Sequence, residues 1–188
     1  MLSVLVSLSA SADYYYTLDR GVLTDVQQAK SNWCWAACAE MAGHYVDPNT
    51  DKTQWAVVRY FKGTATEDFP DVGGNINDIA AAIRYVSNDK VTYRTTTDSL
   101  RNGDIYNEVV LADRAAIAGM GYYDIGGEYH GHAVLVYGTR HECGVDYVVY
   151  SDPAEGKAYR EPYNDFKNGT GKARLQPFTW EASAYCPW

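Results

Sequence analysis

Gln28-Ala29-Lys30-Ser31-Asn32-Trp33-Cys34-Trp35-Ala36-Ala37 opens the first clearly patterned segment of the chain. From Asn32 to Tyr45, Trp33, Ala37 and Met41 recur at spacings of four with alanine-rich filler. That spacing predicts a helix, with Ser31 or Asn32 as its cap and Asp47-Pro48-Asn49-Thr50 as its end. Cys34 then falls in the first turn, where unpaired N–H groups and the positive end of the macrodipole favour an anion. A thiolate is such an anion, and helix N-termini are places where cysteines become nucleophilic. The plainer reading of Cys34 is a small buried hydrophobe. Gln28 shifts the balance. An amide six residues before a nucleophile can donate to the oxyanion formed on a carbonyl, with the backbone N–H at the helix start as second donor.

Working outward, TQWAVVRYF (53–61) predicts a second helix closed by Gly63. The segment 63–75, rich in Gly, Pro and Asp, predicts a loop. INDIAAAIRYV (76–86) predicts a third helix, with Ile76, Ile79, Ala80 and Ile83 on one face. Beyond it, VTYRT (91–95) suggests a short strand and 98–112 a polar helix. AAIAGM (115–120), HAVLVYG (132–138) and VDYVVYS (145–151) are β-rich runs between Gly-containing turns. The tail, 153–188, looks loop-rich, and no pattern emerges between Tyr14-Tyr15-Tyr16 and Ser31. Helices first and strands afterwards predict an α+β protein, a helical half packed on an antiparallel sheet with a site in the cleft between.

A cysteine nucleophile needs a base, and the base an orienting partner. His44 lies three turns beyond Cys34 on the same rod, too far to meet it. His132 opens the apolar run Gly131-His132-Ala133-Val134-Leu135-Val136-Tyr137-Gly138. His130, two residues earlier on the same strand face, is the second candidate. The next strand ends in Asp152-Pro153, which puts a carboxylate at the sheet rim because proline stops ladder pairing. From there Asp152 can reach an imidazole on the neighbouring strand. Its plainer reading is a turn residue.

Together these motifs resemble the papain-like cysteine peptidases, in which glutamine, five residues and Cys-Trp open the central helix. The form here, Q-x5-C-W-A-A, is similar to a bacterial branch that includes bacteriocin leader peptidases and secreted effector proteases. Gly131-His132-Ala133 resembles that family's histidine strand. Asp113-Arg114-Ala115-Ala116-Ile117-Ala118-Gly119 resembles the strand before it, with Ala115 in place of a proline. Papain carries asparagine as orienter where relatives carry aspartate in Asp-Pro. The likeness covers 28–46 and 113–153, and the middle matches only in element order. Asn32-Trp33 stand where papain has Gly-Ser or Gly-Ala, so the substrate pocket is not implied. The resemblance implies a papain-like fold, Cys34 as nucleophile, His132 as base, Asp152 as orienter and Gln28 at the oxyanion. It implies hydrolysis of a protein or peptide substrate through a thioester, by a monomer without cofactor or metal. A transglutaminase-like acyl transferase shares the Cys–His–Asp order, and a catalytically inactive binding protein is the third reading.

The 188 residues carry a net charge of -8, which disfavours nucleic acid and anionic membranes as partners. The length suits one domain, 13–188. Residues 1–12, MLSVLVSLSASA, end in an Ala10-x-Ala12 pair as a signal peptide does, though without basic residues, and suggest a secreted or periplasmic protein. A first strand is the alternative. Among the other cysteines, Cys38 is expected to pack inward, and Cys143 and Cys186 to form a disulfide if the chain is exported. His130, His132, His141, Glu142 and Cys143 match no standard zinc spacing. Asp47-x-Asn49-x-Asp51 lacks the glycine and glutamate of a calcium loop. Asn168-Gly169-Thr170 is a glycosylation sequon. Gly119 to Gly127 suggests a mobile flap beside His132.

Overall fold

The computed structural model describes residues 12–63, 68–171 and 173–186. The expected signal segment therefore lies, except for Ala12, outside the described residues. The helical half holds α1 (Cys34–Val46), α2 (Gln54–Lys62) and α3 (Ile76–Val86), close to their predicted ranges. In α1, eight residues from Trp35 to Gly43 are buried, on nearly every side. A helix that is apolar all round belongs at the centre of a core. Its cap differs from expectation. Trp33 is the N-cap, and no side chain caps the helix. Asn32 instead donates from Nδ2 to the Asp71 carbonyl at 3.1 Å, and its backbone N–H bonds the Asp71 carboxylate. By contrast, Asn75 and Asp78 form a reciprocal capping box that starts α3 beside the cleft.

The second half is one antiparallel sheet of seven strands. These are β1 (Tyr14–Thr17), β2 (Arg94–Thr96), β3 (Ala116–Tyr123), β4 (Tyr129–Glu142), β5 (Val145–Asp152), β6 (Lys157–Pro162) and β7 (Thr179–Tyr185). Their order is β2-β7-β3-β4-β5-β6, and β1 pairs the far end of β4. The tail is therefore not a loop region: it supplies β6, β7 and α5 (Tyr163–Asn168). Glu181 and Ser183 break the apolar character of β7, which hid it. The expected flap is the β3–β4 hairpin, laddered from Ala116↔Val136 to Tyr123↔Tyr129, so only 124–128 form a turn. The polar helix shrinks to α4 (Asn102–Tyr106) and a π-helical turn over Asn107–Leu111.

α1 packs against α3 on one side and β4 on the other, which brings both halves into one core. Trp33 and Trp35 are fully buried, and each indole N–H is satisfied by a loop carbonyl at 3.0 Å, Pro70 for Trp33 and Val72 for Trp35. The two rings thus pin the 68–75 loop to the start of α1. Each Trp→Ala change would cost about 3–5 kcal/mol. Gly74 is required there: a Cβ would lie 2.5 Å from the Trp35 ring. The four cysteines are free. Cys38 is buried, as expected, but the expected Cys143–Cys186 disulfide is absent. Cys143 occupies the β4–β5 turn and Cys186 follows β7, with β3 between β7 and β4.

Candidate active site

Cys34 is the first residue of α1, and Trp33 locks that helix start in place. The sheet brings up the other two groups. Leu135 pairs with Ser151, so the register sets Asp152 opposite Val134. His132 lies two residues along on the same face, a diagonal neighbour within side-chain reach. The structure closes that gap: His132 Nε2 meets Asp152 Oδ1 at 2.8 Å. The remaining ring nitrogen, Nδ1, is free of that bond, and Cys34 lines the same cleft close enough to act on the imidazole. Burial disfavours the imidazolium, but hydrogen bonds to Asp152 and Cys34, together with their charges, outweigh it and raise His132 to about 9. Burial likewise works against the Asp152 carboxylate. The bond from His132, its charge, the Ala154 N–H and Arg174 more than compensate and hold Asp152 below the usual range.

Behind Asp152 stands a residue that sequence reading missed. Arg174 Nη1 donates to Asp152 Oδ2 at 3.0 Å, and its Nη2 pairs with Glu155. The guanidinium also lies over the Tyr159 ring, 4.1 Å from its centroid. Glu161 completes the bracket by accepting from the Arg174 backbone N–H at 2.9 Å and the Tyr150 hydroxyl at 2.7 Å. Arg174 belongs to no motif and lies 22 residues from its partner, so spacing offered no signal.

The fourth expected residue, Gln28, lies in the segment just before α1. Gln28 Nε2 donates to the carbonyls of Lys30 at 2.9 Å and Ser31 at 2.7 Å, which engages both amide hydrogens. Its Oε1 is buried without a partner. The Gln28 backbone N–H bonds the Pro153 carbonyl at 2.8 Å and ties the segment before α1 to the end of β5. The other histidines are held elsewhere. His130 meets Asp124 at 3.3 Å and stacks on Tyr122, His44 contacts the Lys52 carbonyl, and His141 pairs with Asp146 at 2.7 Å. Asp124, Glu128 and His130 converge at the hairpin turn, the one potential metal-holding group among the described residues.

Cys34 and His132 open into a cleft of about 670 Å³. One wall is Gly73, Gly74 and the first turns of α3, with Ile76 and Ile79. The other is built from β3, β4 and β7. A half-buried thiol, an imidazole and a buried carboxylate thus meet at one groove, an arrangement suited to nucleophilic attack on a carbonyl.

Comparison with known proteins agrees with that chemistry. A family model described as the Peptidase C39 like family matches residues 22–182. Among solved structures, the chain resembles the digestive procathepsin L 3 of Tenebrio molitor larval midgut. That likeness covers 97% of this chain and 72% of that one, at 14% identity and a TM-score of 0.50. No curated protein sequence matches.

Proposed function

This chain belongs to the Peptidase C39-like family, and we propose that it hydrolyses peptide bonds with Cys34 as nucleophile, His132 as acid and base, and Asp152 as orienter. The observation that supports this most is the position of one imidazole between a carboxylate and a thiol. His132 bonds a fully buried carboxylate at 2.8 Å and shares the cleft with the thiol at the start of α1.

In the proposed cycle, His132 Nδ1 takes the thiol proton, giving a thiolate and an imidazolium that Asp152 holds in place. The thiolate adds to the substrate carbonyl carbon. The oxyanion rests on the Cys34 N–H, which has no intrahelical partner at that position. Gln28 is the second donor, once its amide exchanges the Ser31 carbonyl for the oxyanion. The imidazolium then protonates the departing amine, leaving a thioester. Water attacks the thioester while His132 takes its proton, and collapse releases the carboxylic acid and the free thiol.

The test is cleavage of a peptide pool, read by mass. Cys34→Ala is expected to abolish turnover while the fold survives. His132→Ala is expected to abolish it too, whereas His130→Ala retains it. Transfer to an added amine in preference to water would indicate an acyl transferase instead.

A further inference from the structure

β7 falls out of step with β3 at one point. Ala182 pairs with Gly119 and Trp180 with Met120, so Glu181 is an extra residue in the ladder. Such bulges re-aim a side chain, and in a regular strand Glu181 would point away from the face that Ala182 occupies. Here it does not. A Cβ on Gly121 would lie 2.4 Å from Glu181 Oε2 and 2.3 Å from the Tyr129 hydroxyl. Gly119 is on that same strand face, and a Cβ there would lie 3.6 Å from Ile76 of α3. The bulge therefore turns the Glu181 carboxylate into the cleft, and the bare face of Gly121 makes room for it.

Glu181 is bonded there only by neutral groups, the Tyr129 hydroxyl at 3.0 Å and the Thr179 hydroxyl at 3.4 Å. Among the described residues no cation pairs with it. The other carboxylate lining the cleft, Asp78, is matched by Lys62 at 3.1 Å. Between Glu181 and the catalytic pair, the cleft offers a floor without long side chains at Gly119, Gly131 and Ala133. Ile76 and Ile79 supply an apolar wall. A long aliphatic stem with a cationic head fits such a space: the stem covers apolar surface and the head meets the carboxylate.

We infer that the cleft selects peptides with a lysine or arginine side chain close to the bond cleaved, with Glu181 as the acceptor of its head group. This rests on the peptidase reading, and the test separates the two. Three peptide pools, alike except for lysine and arginine, norleucine, or glutamate at the scanned positions, are titrated against Cys34→Ala protein. The basic pool is expected to bind roughly three- to tenfold more tightly than the norleucine pool. Adding Glu181→Gln should erase that preference, and Glu181→Lys should reverse it towards glutamate. Binding that does not discriminate, or discriminates equally with and without Glu181, overturns the inference. The same pools given to the active protein judge the peptidase reading alone: no cleavage of any pool contradicts that reading, whatever the binding shows.

Discussion

Arg174 grips the Asp152 carboxylate oxygen that His132 leaves free, at 3.0 Å against 2.8 Å on the histidine side. Asp152 is thus a buried anion with a cation behind it and an imidazole in front. Arg174→Met removes the rear cation, so the Asp152 pKa rises. Because a depressed carboxylate stabilises the fold above its unfolded pKa and loses that stability as pH falls through its folded one, the variant should begin to lose stability at higher pH. A loss of about 1–3 kcal/mol near neutrality is expected, the pair being partly exposed on the arginine side. Denaturant midpoints between pH 3 and 7 check this. Arg174→Lys should recover only part of it, since one ammonium cannot serve Asp152 and Glu155 together as the fork does.

The raised pKa of His132 has the opposite sign. A histidine held at about 9 contributes stability that is fully present below its unfolded value, near 6.5, and is lost as pH rises through about 9. Wild-type protein and His132→Ala should therefore differ most in stability below pH 6.5 and converge above 9. Activity should follow, with kcat/KM falling on the alkaline side near pH 9 as the proton for the leaving amine disappears. Asp152→Asn should move that limb to lower pH and reduce kcat by roughly 10²–10⁴-fold. An alkaline limb unmoved by Asp152→Asn would separate His132 from the rate.

Why some of this was legible in the sequence and some not follows from the range of each interaction. Cys34 announced itself because helix periodicity is local, and His132 and Asp152 because each lies at an end of an apolar β run. The capping of α1 misled, because Asn32 was drawn to Asp71, 39 residues away. β7 escaped notice because a bulged, polar-interrupted strand has no clean alternation. Arg174 and Glu181 escaped for the same reason: their roles exist only once distant strands are laid side by side. The tyrosine excess also resolved only in three dimensions. Tyr129 is the one tyrosine lining the cleft, while Tyr93, Tyr137 and Tyr150 are buried in the core.

Gln28 has two possible contributions, and its variants distinguish them. If its amide reaches the oxyanion, Gln28→Ala should lower kcat by roughly 10²–10³-fold with little change in KM. If it only braces the 28–31 turn through the Lys30 and Ser31 carbonyls, thermal stability drops and kcat does not. Steady-state kinetics beside a melting curve settle the matter.

Gly74→Ala tests how the cleft wall is held. Its Cβ would press into the Trp35 ring, and that ring is fully buried and cannot yield freely. A destabilisation of about 1–3 kcal/mol is expected, with KM rising as the 73–75 segment is displaced. An unchanged KM would place that segment outside the substrate path.

The central claim is that Cys34 is a nucleophile because His132 activates it. Iodoacetamide labelling at neutral pH, mapped by peptide, tests that most directly. Cys34 is only partly exposed, whereas Cys143 is exposed and has no comparable partner. Exposure alone would therefore favour Cys143. The expected result is Cys34 reacting roughly tenfold or more ahead of Cys143, an advantage that His132→Ala abolishes. Cys143 reacting first, with Cys34 indifferent to His132→Ala, would contradict the account.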